Sequence, residues 1–442
     1  MSKKRWLILV FGLVIGLAPI AAQAADYVLT APNWGARQNA AVTAAGGTVV
    51  WSHRRAGIGV ASSEAADFLS RAMASNAFHE GDLDQMVQWQ EPVPVEDAIN
   101  PNDDTFYPIQ WPHIAMETPA AWAAGCTGDG VRVAVVDGGI FSTHPDLNDN
   151  LDTACSRSFV AGQPYNNDTG TFWHGTHVAG IVAAEDNNIG VIGVAPEATV
   201  IGVKVLHSGS GTFGAVIGGI LYASDPAAFG AGSCARADII NMSLGAVFPR
   251  AHSGGLIPAL NKAVNFAHSQ GVLVISAAGN NAIDFGQAGN LIVVPAQSGN
   301  GVAVSATGPV GWALGATNFR RPASYSNYGE DLVYVAAPGG DFAYPGNENC
   351  TMPTATGTIT RPCWVFDLYL STSRAGYTWA AGTSMAAPSA SGVAALILHA
   401  NPGISLGALK AKLAQSADDE GKVGKDEFYG RGFVNARRAC IE

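Results

Sequence analysis

The sequence predicts an α/β protein: a mostly parallel sheet with helices on both faces, preceded by a small α+β unit of ferredoxin-like pattern. Three observations predict it. From residue 105 onward, short apolar runs alternate with Ala- and Gly-rich helical stretches, as in strands buried on both faces. The chain is 48% hydrophobic and only 13% charged, with 53 Gly, where about 25% charged is usual. Residues 26–100 carry their own strand-helix-strand-strand-helix-strand order. The 442 residues suffice for a large core, and the composition excludes a disordered chain, a coiled coil and a collagen-like fibre. A formal charge of −11 with 24 Lys+Arg argues against nucleic acid as a partner.

At the N terminus, Lys3, Lys4 and Arg5 precede an uncharged apolar run from Trp6 to Leu17, which Pro19 breaks. Ala22-Gln23-Ala24 then supplies small residues at the cleavage positions, so residues 1–24 read as a secretory signal peptide. The run is short for a bilayer span of about 20 residues, and no Cys follows it for a lipid anchor. The chain is therefore expected outside the cell, or in the periplasm of a Gram-negative one, with no membrane association once the signal is removed. In such an oxidising compartment the six cysteines, Cys126, Cys155, Cys234, Cys350, Cys363 and Cys440, suggest up to three disulfides. Cys350 and Cys363 bracket a Thr/Pro-rich stretch and make the best local pair; the remaining connectivity is open. No Cys/His spacing suggests zinc.

Within residues 26–100, strands are expected at Tyr27–Leu29, Thr48–Trp51, Ile58–Ala61 and Gln85–Gln90. Helices are expected at Asn33–Ala45, stopped by Gly46-Gly47, and at Glu64–Met73, with Ala65, Phe68, Leu69 and Ala72 on one face. Arg54 and Arg55 fall in a turn that reads as solvated. Glu91 to Asp104, rich in Pro, Asp and Asn, reads as an exposed linker. Beyond it, strands are expected at Val131–Val136, Thr199–Val205, Asp238–Met242, Val272–Ser276 and Gly301–Ala306. The intervening helices are His174–Ala184, Phe213–Ala223, Gly254–Ser269, Ser384–Ala400 and Ser405–Ser416. Right-handed crossovers would align the strand C-terminal ends along one edge, where sites form in such sheets.

Three segments lie at such ends or at helix starts. Asp137 closes the apolar strand of "VAVVDGG", "HGTHVAG" begins at His174, and "GTSMAAP" places Ser384 at the start of an Ala-rich helix. Singly, each has an ordinary reading: an Asp-Gly cap, a core histidine (which suits His177), and an N-cap serine. Together they are what acyl transfer needs. Serine is a weak nucleophile until a histidine takes its proton, and a buried aspartate must hold that histidine in one tautomer. Asn280, in "AAGN" after a strand, adds a side-chain donor for an oxyanion.

These segments, in the order Asp, His, Asn, Ser, resemble those of the subtilisin-like serine proteases over most of residues 108–440. The resemblance weakens near 246–262 and 340–375, which look like insertions. It implies a subtilisin-like fold in which Asp137 orients, His174 is general base and acid, Ser384 is the nucleophile, and Asn280 with the Ser384 backbone N–H forms the oxyanion hole. Ser243-Leu244-Gly245 and Gly209-Ser210-Gly211 would flank an extended peptide and add it as a strand. His207, beside Gly209, reads as an ordinary surface histidine. The resemblance also makes residues 25–100 a prodomain, a transient inhibitor removed by self-cleavage in the linker, and residues 101–442 the catalytic domain. It implies structural Ca²⁺ held by Asp146, Asn187 and the carbonyls of Glu185, Ile189 and Val191, with Gln110 a further candidate; oxygen-only ligands suit this ion. The expected protein is a monomeric, secreted endopeptidase acting on polypeptides. Its alternatives are a processing protease of narrow specificity and a binding module with the protease fold.

Overall fold

The computed structural model describes residues 24–89, 95–99, 106–252 and 254–442. The signal segment (except Ala24) and most of the 91–104 linker lie outside the described residues.

The N-terminal unit consists of β1 (Ala25–Thr30), α1 (Ala36–Ala44), β2 (Thr48–His53), β3 (Ile58–Ser63), α2 (Phe68–Ala74) and β4 (Glu80–Leu83). Its antiparallel sheet has the order β2-β3-β1-β4, the ferredoxin-like arrangement expected. Tyr27, Leu29, Val42, Ala61, Phe68 and Ala72 close its small core. The expected last strand is displaced. Glu80–Leu83 closes this sheet, whereas β5 (Met86–Gln88) leaves it to pair with a strand of the larger unit. A further strand, β6 (Val95–Ile99), also pairs elsewhere.

The larger unit opens with α3 (Trp111–Met116) and α4 (Thr118–Ala123). There follow β7 (Arg132–Asp137), β8 (Arg157–Ser158), α5 (His174–Ala183), β9 (Thr199–Lys204), β10 (Ser210–Thr212), α6 (Phe213–Ser224), β11 (Ile239–Met242) and β12 (Ala246–Pro249). Then come α7 (Leu256–Ser269), β13 (Leu273–Ala277), β14 (Leu291–Val294), β15 (Val302–Thr307), β16 (Val335–Pro338), β17 (Asn349–Pro353) and β18 (Thr358–Pro362). The chain ends with β19 (Tyr369–Ser373), β20 (Gly376–Ala380), α8 (Thr383–Ala400), α9 (Leu406–Gln415) and α10 (Ala436–Ile441). Seven strands form a parallel sheet in the order β16-β15-β13-β11-β7-β9-β8.

Alternation along these strands explains both helical layers. Val133, Val135, Ile239, Leu273 and Ile275 face the core under α5 and α8. Ala134, Val136, Ile240, Met242 and Val274 face the core under α6 and α7. Strands buried on both faces need apolar residues at every position, so they read as continuous runs. The chain leaves β7 for β9 on one side and reaches β11 on the other, which opens a crevice at the carboxyl ends. Disulfides join Cys350 to Cys363, as expected, Cys126 to Cys440 and Cys155 to Cys234. The 340–375 stretch folds as the β17–β18 hairpin that the first of these closes.

The N-terminal unit rests on α6 and α7. Asp84 accepts from Gly214 N (2.9 Å) and Asp82 from Gly255 N (3.1 Å), each carboxylate at the start of one of these helices, where the helix dipole favours negative charge. Lys262 of α7 donates to the carbonyls of Ala31 and Gly57. The Arg54–Arg55 turn is more than solvated: Arg55 pairs with Asp225 at 2.6 Å. Buried His53 shares that carboxylate at 3.1 Å through Nε2 and accepts from Ala56 N on Nδ1, which fixes its neutral tautomer.

Candidate active site

Parallel strands place Asp137, the segment after Met242, the segment after Ala277 and the segment after Lys204 at one edge of the sheet. His174 and Ser384 arrive there on the first turns of α5 and α8, which pack on the same sheet face. His174 Nδ1 lies 2.9 and 3.0 Å from the two Asp137 oxygens, with both side chains about 1% exposed. Gly138 N donates to Asp137 Oδ1 at 2.6 Å. The glycine of "HGTH" has a steric reason. A Cβ on Gly175 would sit 2.5 Å from the Gly139 carbonyl and 3.1 Å from Asp137 Oδ1, so only glycine lets α5 approach the Asp137 turn.

The proline of "GTSMAAP" has an electronic one. Pro388 lies inside α8 and has no N–H for the carbonyl four residues earlier, that of Ser384. Ser243 Oγ fills the gap, donating to the Ser384 carbonyl at 2.7 Å. Ser243 Oγ in turn accepts from Asn241 Nδ2 at 3.0 Å. Ser384 Oγ donates to the Ser243 carbonyl at 3.0 Å. Thr383, which sequence reasoning passed over, orients Asn280. Its backbone N–H (2.9 Å) and hydroxyl (2.8 Å) both donate to Asn280 Oδ1. With the oxygen pinned, the amide N–H₂ must point the other way.

Of the expected peptide-flanking segments, Gly209–Gly211 is engaged. β5 pairs antiparallel with β10, Ser210 opposite Gln88 and Gly211 opposite Val87. Trp89 N donates to the Gly209 carbonyl at 2.9 Å, and its buried indole donates to the Gly211 carbonyl at 3.0 Å. Ser243 is committed to the Ser384 backbone, Leu244 is buried, and Gly245 follows them. Across the site, β6 pairs with β20, the strand that leads into Ser384. His177 is a core histidine, as expected: Nε2 bonds the Thr378 carbonyl at 2.9 Å, and burial pushes its pKa down to about 3.

The candidate cation loop is partly assembled. Asp146 is fully buried; Oδ2 accepts from Val191 N at 2.9 Å, while Oδ1 makes no well-aligned hydrogen bond among the described residues and has the Tyr377 hydroxyl nearby. Burial pushes this carboxyl up to about 9, with the Val191 N–H pulling the other way. A buried carboxyl with one oxygen so weakly met suits a cation. Asn187 Oδ1 accepts from Ile189 N, and Glu185 accepts from Asp149 N and from the Asn187 amide. Gln110 bonds the Ile192 backbone through both its amide atoms at 3.0 Å. Among the described residues no three His, Cys, Asp or Glu side chains converge as a metal cluster.

A buried Asp–His pair beside a helix-borne serine, at the carboxyl edge of a parallel sheet, defines a serine peptidase of the α/β class. Comparison with known proteins agrees. The subtilase family model matches residues 128–432. Subtilisin Savinase of Lederbergia lenta is 38% identical over 334 residues, covering 75% of this chain and 98% of that protein. M-protease of Shouchella clausii is also 38% identical, over 75% of this chain and 70% of that one. Among solved structures, the epidermin leader peptide processing protease of Staphylococcus aureus has a TM-score of 0.73 at 21% identity, covering 95% of this chain and 98% of that one. A Pseudoalteromonas arctica protease has a TM-score of 0.57 at 30% identity, over 77% and 99%. The chain belongs to the subtilase family and is a subtilisin-like serine endopeptidase. Among the described residues no helix is long and apolar enough to cross a membrane.

Proposed function

We propose that this chain is a secreted endopeptidase made as a self-processing precursor. Asp137, His174, Ser384 and Asn280 perform its chemistry. The observation that carries the assignment is the convergence of the buried Asp137–His174 pair and helix-borne Ser384 at one sheet edge. Ser384 Oγ turns from the Ser243 carbonyl to His174 Nε2, gives up its proton and attacks the scissile carbonyl carbon. Asn280 Nδ2 and the Ser384 N–H hold the resulting oxyanion. His174 returns the proton to the leaving amine, and water releases the acyl-enzyme by the same steps. Asp137 stabilises the imidazolium that forms. A fluorophosphonate should label Ser384 in the mature protein. A protein that hydrolyses casein but is labelled elsewhere, or not at all, would remove the assignment.

Residues 25–100 act as an inhibitory prodomain in this reading. Its support is that Met86–Trp89 lie on Gly209–Thr212 as an added strand, where an extended substrate is expected. The bond to be cut falls in the linker Glu91–Asp104. Release of the cleaved prodomain should depend on pH. Burial lowers the His53 pKa below its ordinary 6.5, outweighing the pull of Asp225; the Arg55 guanidinium lowers it further. A group lowered in the complex weakens that complex as pH falls through the free value. The cleaved complex, with Ser384 blocked, should hold at pH 7.5 and dissociate faster at pH 5.5, with affinity falling by up to about tenfold per pH unit. His53→Gln should flatten that dependence; an unchanged slope in gel filtration would exclude His53. Asp84, raised by burial, has the opposite sign.

Structural Ca²⁺ belongs to the same reading. Asp146, Asn187 and the carbonyls of Glu185, Ile189 and Val191 would hold it, and it would supply charge compensation to a buried carboxylate. Removing a ligand that binds only the folded state lowers the thermal midpoint by mass action. Chelator should lower it in the parent protein and not in Asp146→Asn. Equal midpoints with and without chelator, in protein shown to be metal-free by elemental analysis, would exclude the ion.

A further inference from the structure

Lys204 is a buried cation that the chemistry above leaves unused. It ends β9, and its Cα partner in the neighbouring β7 is Asp137 itself. The side chain is wholly buried. An ammonium is costly to bury unless its donors are met and its charge is balanced. Here Nζ donates to the carbonyls of Gly138 and Leu206, and Asp168 Oδ1 lies 4.0 Å away.

These partners surround Asp137. Gly138 is the next residue, and its N–H bonds Asp137 Oδ1. Val205 and Leu206 both donate their N–H groups to the Asp137 carbonyl, at 2.8 and 3.3 Å. The ammonium therefore ties the Asp137–Gly138 turn to the end of β9, and as register partners Lys204 and Asp137 lie on the same face of the sheet. It also places a fixed positive charge in a water-poor setting, where charges act more strongly than in solvent.

We propose that Lys204 is a positioning residue for the hydrolysis: it locks the carboxylate of Asp137 in line with His174 and tunes the proton affinity of that histidine. The proposal rests on the roles given above to Asp137 and His174. Among the described residues, the charged and titratable groups around the Asp137–His174 pair are Lys204, Asp168, His177, which burial keeps neutral, and His207, 3.5 Å from Asp168. Asp137 favours the imidazolium, Lys204 opposes it, and Asp168 offsets Lys204.

The test is the pH profile of kcat/KM per active site, titrated with a fluorophosphonate, in a His207→Asn background so that this histidine does not contribute. Lys204→Met keeps the length and apolar stem. It should lower kcat by about tenfold with KM within about twofold, as for a misplaced catalytic group. It should also raise the acid limb by about half a pH unit, because a buried cation near the Asp137–His174 pair is lost. Asp168→Asn should move that limb the other way. Were Lys204→Met not to fold, the Asp168→Asn shift would decide alone. A per-site kcat and acid limb equal to the parent's, with only a lower thermal midpoint, would overturn the proposal and leave Lys204 a packing residue. Failure to label Ser384 in the parent would instead overturn the site assignment.

Discussion

Ser384→Ala should accumulate as a chain that begins at Ala25, keeps its N-terminal unit attached, and hydrolyses nothing. The expected loss of kcat is about 10⁶-fold, the scale seen when subtilisin loses its own nucleophile. The substitution removes one hydroxyl and little else. Ser384 Oγ makes its bond to the Ser243 carbonyl, whereas the bond that fixes the helix start runs from Ser243 Oγ to the Ser384 carbonyl and survives in alanine. Alanine is also the best helix former, so α8 should remain intact. The thermal midpoint should stay within a few degrees of an unprocessed parent. N-terminal and intact-mass analysis of the parent should place the cut in the linker Glu91–Asp104. Normal removal of the N-terminal unit from a pure Ser384→Ala preparation would end the self-cleavage reading. Removal only after adding active parent protein would show that cleavage between molecules suffices.

The pattern of the sheet was legible because burial on both faces leaves no polar positions. Runs such as Val133–Val136 and Val272–Ile275 therefore announce strands without alternation. β16 was missed for a related reason: Val335–Pro338 is four residues long, ends in proline, and is bounded by no helix that would reveal a crossover. The displaced strand β5 failed differently. Gln85–Gln90 has strand character, and periodicity says nothing about which sheet receives it. Its partner, Ser210–Thr212, is far away in sequence, and pairing over that distance is a tertiary outcome.

The site divides along the same line. The segments around His174 and Ser384 stand out because their neighbours are constrained: Gly175 sterically by the Asp137 turn, Pro388 by leaving the Ser384 carbonyl without its helical N–H. Thr383 and Lys204 carry no such local mark. Each acts on a residue distant in the chain, Thr383 on Asn280 and Lys204 on Gly138, and only the folded backbone brings them together. The same holds for His53, whose partner Asp225 is 172 residues away. Gln110, whose residue type suits a cation ligand, bonds the Ile192 backbone through both amide atoms, a tertiary contact that its own segment does not announce.

Asn280→Leu should lower kcat by about 10²–10³-fold while KM hardly changes, the range known for the corresponding donor in subtilisin. The amide meets charge that exists only after attack, so its loss falls on the transition state and spares the bound substrate. Leucine matches the asparagine volume and removes the donor, but it also strands the Thr383 N–H and hydroxyl that end on Asn280 Oδ1. Asn280→Asp separates the two effects. It keeps an acceptor for both Thr383 donors and replaces the N–H₂ with a carboxylate oxygen, which would repel an oxyanion. If Asn280 acts by donating, Asp should be at least as damaging as Leu. If it serves only to hold Thr383 at the start of α8, Asp should retain most of the parent rate. Thr383→Val gives the intermediate case: the backbone N–H still grips Oδ1, the hydroxyl does not, and the amide is aimed by one bond instead of two. Its expected cost is about 1–2 kcal/mol, roughly tenfold in kcat. The order Val, Leu, Asp in increasing damage, read per titrated Ser384, is thus the outcome a pre-aimed donor requires.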